Sequence, residues 1–320
     1  MHELIKNLFL KKLGNPLLNK LTDSAIIEFK GKKLAFTTDS FVVSPLFFKG
    51  GDIGRLAVCG TINDLVMLAA VPRYISLAMI IEEGLDYRIL EKVVDSISVT
   101  ARKEDVLVVT GDIKVVEKGA CDKMFINTAG IGEVLEKREL SMMSIEPGDE
   151  IILTGKIAEH GLSVLSGRKG ADFDFGIKSD CCALSRLLLP IIKKKDAIKF
   201  MRDPTRGGLA TTLNEIAKSS GKGIIINEKN IPVSASVKAA CEILGLEPLY
   251  VANEGKAVLI VDKPAADYVL RKLHRHSLGR SAQIIGQVKP KPKGEVLLNT
   301  LSGGLRILDM PTQELLPRIC

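Results

Sequence analysis

The stretch TTDSFVVSPLFFKGGDIGRLAVCGTINDLVMLAAVPRYISLAMIIEEG, residues 37–84, carries both periodicities that decide the fold. It opens at the close of a strand read over 33–38, where Thr37-Thr38-Asp39-Ser40 ends the run of strand formers. After Gly50-Gly51, Asp52 reads as a helix N-cap, and an apolar helical pattern continues to Ala70. Val71-Pro72 stops it, because proline cannot donate a backbone hydrogen bond and does not fit a helix interior. Tyr74 to Ile81 is then rich in residues that pack well on a pleated surface. Strand, helix and strand follow one another, so the unit is of mixed α and β type.

Outward from this stretch the same alternation continues. Residues 24–29 pair with 33–38 through a Lys30-Gly31-Lys32 turn. Residues 86–103 are an amphipathic helix with Leu90, Val93, Val94 and Ile97 on one face. Val106 to Thr110 reads as a buried strand ending at Gly111-Asp112, and Phe125 to Val134 as another. Glu146-Pro147-Gly148-Asp149 is a turn before a fresh strand, Ile151 to Leu153, and marks the domain boundary. Beyond it come helices near 157–166, 183–195, 209–219, 234–244 and 264–274. Strands near 223–227, 258–261, 282–288 and 296–298 complete the second half. Helices and strands mix without strict alternation, which predicts an α+β class: domains over 1–148 and 149–302, then a flexible tail over 303–320.

Composition excludes several functions. With 320 residues and 46% apolar content, two ordinary cores can be buried. The formal net charge of +7 comes from dispersed Lys and Arg without aromatic platforms beside them, which argues against nucleic-acid binding. Asp64 and Arg73 interrupt the longest apolar run, so no membrane span is expected. Residues 1–14 mix charged and apolar residues at helical spacing and do not read as an export signal. Six cysteines, at 59, 121, 181, 182, 241 and 320, form no C-x-x-C pair and no zinc pattern with the four histidines. Scattered free thiols indicate a reducing, cytoplasmic setting.

Four aspartates, Asp39, Asp64, Asp112 and Asp203, each interrupt or close an apolar stretch. A carboxylate in apolar surroundings is costly unless paired or bound to a cation. Singly, each is accounted for by a cap or an ion pair; converging, they would suit Mg²⁺ together with phosphate oxygens. Lys114 stands two residues from Asp112, and Glu254 is a further acid in a turn. The pairs Gly50-Gly51 and Gly207-Gly208 could offer backbone N–H groups to an anion, although such pairs are often plain turns. Neither the usual phosphate loop nor the dinucleotide glycine fingerprint is present. The last residue is Cys320, after a Gly- and Pro-bearing stretch, which is a candidate tethered thiol or a chance terminal cysteine.

Residues 37–84, TGDIKVVEKG at 110–119, MRDPTRGGLATTLNEIA at 201–217, VANEGK at 251–256 and the closing PRIC resemble the hydrogenase maturation factors of the HypE family. These are carbamoyl dehydratases of the aminoimidazole ribonucleotide (AIR) synthetase and selenophosphate synthetase superfamily, with a PurM-like fold. The resemblance implies a dimerising N-terminal domain, a second similar domain and ATP bound between them. It implies that a HypF carbamoyltransferase loads Cys320. ATP then drives dehydration of the resulting S-carboxamide to an S-cyanide (thiocyanate), delivered to iron on a HypC–HypD scaffold. Carried over by position, Asp39, Asp64 and Asp203 are Mg²⁺–phosphate ligands, with Asp112 a further candidate. Lys114 is a phosphate contact or proton handler, and Glu254 a base. Ile113 departs from the Thr usual between the Gly-Asp and the Lys. The competing readings are a selenophosphate synthetase or thiamine-monophosphate kinase of the same superfamily, and a non-catalytic carrier using Cys320.

Overall fold

The structure, a computed structural model, describes residues 10–135, 140–168, 170, 173–194, 197–311, 316 and 318–320. Residues 1–9, over which the absence of an export signal was expected, lie outside the described residues.

Two sheets organise the chain. The first has strand order β1-β2-β7-β5-β6, made from β1 (Ala25–Phe29), β2 (Lys32–Phe41), β5 (Ala70–Glu82), β6 (Leu107–Val116) and β7 (Met124–Val134). All its pairings are antiparallel except β5 with β6. That parallel step needs a crossover, supplied by helix α2 (Tyr87–Lys103). A short ribbon of β3 (Phe47–Phe48) and β4 (Gly51–Asp52) leads into helix α1 (Ile53–Met67), where the Asp52 side chain accepts from the N–H groups of Gly54 and Arg55. The second sheet runs β14-β13-β10-β12-β8-β11-β9. Its strands are β8 (Glu150–Leu153), β9 (Ile198–Arg202), β10 (Gly223–Asn227), β11 (Val258–Val261), β12 (Gln283–Lys289), β13 (Val296–Asn299) and β14 (Leu305–Ile307). Helices α3 (Glu159–Ser166), α4 (Ser185–Lys194), α5 (Gly208–Ser220), α6 (Ala235–Leu244) and α7 (Ala266–His274) complete it.

Helix α1 is apolar round most of its circumference, and nearly all its residues are buried. A helix of that kind must be covered all round. One side lies on β2, β5 and β7, and the other meets α4 and β9 of the second half. Leu56, Ile62 and Val66 therefore share a core with Leu184, Leu187 and Leu259. Truncating such a residue to Ala costs roughly 2–5 kcal/mol. The join between the halves is thus continuous apolar packing.

Several expectations change. Asp39 lies within β2, which continues to Phe41, because β7 offers partners as far as Ile126. The strand read as buried over 106–110 is longer, and it is exposed along its length at the sheet edge. Val94 is exposed, since it lies one residue round from the buried pair Val93 and Ile97 on α2. The strands β9 and β14 escaped the sequence reading. β14 extends the second sheet into the stretch expected to be tail.

Candidate active site between the two halves

A cavity of about 740 Å³ opens where the two sheets meet. Asp39 reaches it from β2, Asp64 from α1, Asp203 from the turn after β9, Glu254 from the loop before β11, and Cys320 from the end of the chain. These are five of the residues singled out by sequence. Asp23, Glu215, Arg202 and Arg206 join them and were not singled out. Asp23 sits in an unremarkable Thr-Asp-Ser triplet. Arg202 and Arg206 flank Asp203 within a segment whose other features drew attention.

Charge is unbalanced here. Six carboxyl groups (Asp23, Asp39, Asp64, Asp203, Glu215, Glu254) face two guanidinium groups. Arg202 is occupied, holding Asp23 at 3.3 Å and Glu215 at 3.0 Å. Burial, then the neighbouring Asp203, raises the Asp64 carboxyl well above the ordinary range, although Thr37 donates to it at 2.7 Å. Burial, then Asp23, pushes Asp203 up to about 8. Glu254 is also raised well above its ordinary value, by burial and then by Asp203. Opposed carboxylates in a partly dry cavity favour the neutral form until a cation arrives.

Glu254 is rigidly presented. Asn63 on α1 is buried and donates to the carbonyls of Cys182 at 3.1 Å and Glu254 at 3.3 Å, while accepting from Leu184 N–H at 2.8 Å. The Glu254 and Gly255 amides donate to the Asp180 carboxylate at 3.1 and 3.2 Å, and Lys256 closes an ion pair with it at 3.0 Å. The loop is thus clamped from both halves of the chain.

The end of the chain is seated. Val42 N–H donates to the Cys320 main-chain oxygen at 3.0 Å and Ser44 N–H to the Arg318 carbonyl at 3.2 Å. Ile319 is buried. The half-buried Cys320 sulfur lies 3.8 Å from an Arg206 nitrogen. Burial, then Glu254, pushes its thiol up to about 12, with Arg206 opposing. A seated Cys320 is therefore a protonated thiol.

The two glycine pairs part company. Gly207, at the N-terminus of α5, lines the cavity, and Gly208 (φ 62) passes so close to the carbonyls of Leu249 and Val251 that a Cβ would lie 2.6–2.7 Å from them. Gly50 (φ 92) instead lets the chain press against Ser179, whose backbone N and O would both stand 2.9 Å from a Cβ. Gly50 and Gly51 are absent from the cavity lining, so their requirement is close packing.

Asp112 and Lys114 do not join the cavity of their own chain. Asp39, Thr128, Leu77 and Gly111 form one row across the sheet. Thr128 in that row bonds Thr61 of α1 at 2.6 Å, so the row faces the helix. Strand alternation turns Asp112 and Lys114 to the opposite face. There they pair with each other at 3.3 Å, largely exposed.

A resident metal is tested by the donors present. Among the described residues no three His, Cys, Asp or Glu side chains stand close enough to make a ready metal site. The cavity does provide hard carboxylate oxygens in negative excess. That suits a cation such as Mg²⁺, which takes one or two carboxylates and completes its shell with phosphate oxygens and water. Among the described residues no helix is long and apolar enough to cross a membrane.

Two lobes with a deep acidic seam between them define a particular class. Residues 21–134 match the N-terminal domain and 146–299 the C-terminal domain of the AIR synthase related proteins. A carbamoyl dehydratase HypE of Rhizobium leguminosarum bv. viciae is 47% identical over 321 residues, covering 100% of this chain and 92% of its own length. A HypE structure solved as a HypE–HypF complex superposes with TM-score 0.91 at 44% identity, covering 96% of this chain and 99% of that one. A HypE solved in complex with ATP superposes with TM-score 0.87 at 48% identity, covering 100% and 96%. The chain belongs to the HypE family of hydrogenase maturation proteins.

Proposed function

We propose that this chain is an ATP-dependent carbamoyl dehydratase whose substrate is an S-carboxamide on its own Cys320, converted to an S-cyanide. The observation that carries the reading is the seating of Cys320 inside the acidic cavity, beside Glu254 and Arg206. A relative solved with ATP supports nucleotide binding in the same fold.

The chemistry balances. Carboxamide and ATP become nitrile, ADP and phosphate: the amide oxygen departs on the transferred phosphoryl group and the nitrogen loses both protons. An amide oxygen is a poor leaving group until phosphorylated, so phosphoryl transfer comes first. Glu254 is the candidate base: burial raises its carboxyl well above its ordinary value, so that once a bound cation lets it ionise it holds a proton more tightly than an exposed carboxylate. Arg206 stands where it can stabilise the carbonyl end of the carboxamide. The seam between the halves limits water around the activated carbon. Asp39, Asp64 and Asp203 would hold Mg²⁺, which when bound supplies positive charge to the phosphates. Gly207 and the N-terminus of α5 offer N–H groups to the same anion.

Asp112 and Lys114 enter this reading through a homodimer. Phe36, Tyr74, Ile80 and Ile131 expose apolar surface on the outer sheet face that bears them, and Leu107, Val109 and Val115 do so along the edge strand. A face of that kind calls for a partner, and a second copy would bring Lys114 toward a neighbouring cavity. A HypF-type carbamoyltransferase as donor is supported by the relative solved with HypF. A HypC–HypD type acceptor and a cytoplasmic, reducing setting complete the proposal; all six cysteines are free.

Intact-mass spectrometry tests the activity. Chain carbamoylated by a HypF-type enzyme with carbamoyl phosphate and ATP should, on incubation with Mg-ATP, lose the mass of one water per phosphate released. Phosphate release without that loss would refute the reading.

A further inference from the structure

The closing segment is gripped from two sides. The main-chain oxygens of Arg318 and Cys320 face the backbone of residues 42–44. The Ile319 carbonyl between them turns the other way and meets Nε2 of His160 at 2.9 Å. His160 lies on α3, fully buried, with the Phe48 ring edge-on at 5.3 Å. Its other nitrogen, Nδ1, is 2.8 Å from the Ser179 hydroxyl.

A carbonyl can only accept, so Nε2 carries the hydrogen that binds Ile319. Burial lowers the His160 pKa and keeps the ring neutral, so Nδ1 accepts from Ser179. The Ser179 oxygen in turn accepts from Cys181 N–H at 3.0 Å, and Ser179 N–H is tied to the Lys49 carbonyl at 2.7 Å. Donation therefore runs one way, from Cys181 N–H through the Ser179 hydroxyl and His160 to the Ile319 carbonyl. The next residue, Asp180, anchors the amides of Glu254 and Gly255. One rigid segment therefore supports both the grip on the tail and the acid beside the sulfur.

We propose that His160, its tautomer set by Ser179, is a positioning residue: by donating to the Ile319 carbonyl it seats Cys320 next to Glu254. The role rests on the dehydratase reading above for its purpose, and its test does not depend on that reading. His160 touches no reacting atom and does not line the cavity, so nucleotide affinity is expected to be independent of it.

The test is selective alkylation in the full-length protein. Iodoacetamide reaction at each cysteine is followed by peptide mass spectrometry in wild type, His160→Leu, His160→Gln and Ser179→Ala. In His160→Leu the rate at Cys320 is expected to rise about tenfold, the scale of one lost buried hydrogen bond. Cys241, which is buried on α6 and takes no part in the hydrogen bonds that hold the tail, stays protected, which separates loss of seating from unfolding. His160→Gln, whose amide can still donate to the carbonyl, restores part of the protection. Ser179→Ala gives a smaller rise, with the ring retained. Single-turnover dehydration of carbamoylated chain should fall in step with the loss of protection, while carbamoyl loading does not fall. Unchanged alkylation of Cys320 in Ser179→Ala and in a folded His160→Leu overturns the proposal. If wild type fails to dehydrate, the activity reading fails, and the alkylation contrast still decides the role of His160.

Discussion

Two buried charged clusters in this molecule have opposite logic. Lys199, on β9, is buried and reaches Asp149 at 2.9 Å, Asp262 at 3.0 Å and Glu146 at 3.4 Å. Burial would lower the lysine's pKa, but its hydrogen bonds to Asp149 and Asp262 raise it; the ammonium matches the one buried carboxylate, Asp149, while Glu146 and Asp262 reach solvent, so the buried charge is balanced. The cavity carboxylates of Asp64, Asp203 and Glu254 are as deeply placed, yet each one's neighbours oppose its ionisation. A balanced cluster holds elements together. An unbalanced one is unfavourable alone and becomes favourable when a counter-charge binds, which is the property a nucleotide–cation site needs.

The contrast can be broken in order of expected effect. Cys320→Ser should abolish cyanide formation while leaving fold and Mg-ATP binding intact, as read by intact mass and calorimetry; residual cyanide transfer would remove the tethered substrate. Lys199→Met strands Asp149 and Asp262, and should cost about 3–5 kcal/mol of stability in urea denaturation, with turnover per folded molecule unchanged. Activity lost in proportion to neither unfolding nor aggregation would mean that the balanced cluster is not merely structural.

Asp203→Asn should do the reverse. It removes a repelled carboxyl, so stability of the nucleotide-free protein stays level or rises, while Mg-ATP affinity drops tenfold or more, about 1.4 kcal/mol. The pH dependence sharpens this. Asp203 has its folded-state pKa raised to about 8 from 3.8. Between those values the native state binds the extra proton, so this group's contribution to stability falls as pH rises toward 8. Thermal melts of nucleotide-free protein should show that decline, and Asp203→Asn should flatten it. Equal slopes in the two proteins would sink the account.

The legible part of the site has a common character. Asp64 and Glu254 stand out in sequence because a lone acid amid apolar residues needs a reason, and Asp203 does so between two arginines. Asp52 is legible as a cap for the same local reason. Asp112 and Lys114 look similar on paper, but the face of the sheet they occupy depends on register with β5 and β7, set by partners distant in sequence. Gly50-Gly51 and Gly207-Gly208 are indistinguishable as dipeptides; only the approach of Ser179 to one and the cavity beside the other tell them apart. His160 gave no signal, because a buried histidine's purpose lies in partners 19 and 159 residues away.

By itself the sequence determined the α+β alternation, the Asp52 cap and the family, since these rest on local periodicity, capping chemistry and contiguous segments. Only the tertiary structure decided which carboxylates share a cavity, which face carries Lys114, and where the closing segment rests. Those outcomes depend on strand register and on packing between the halves, where a one-residue shift in pairing reverses every side chain.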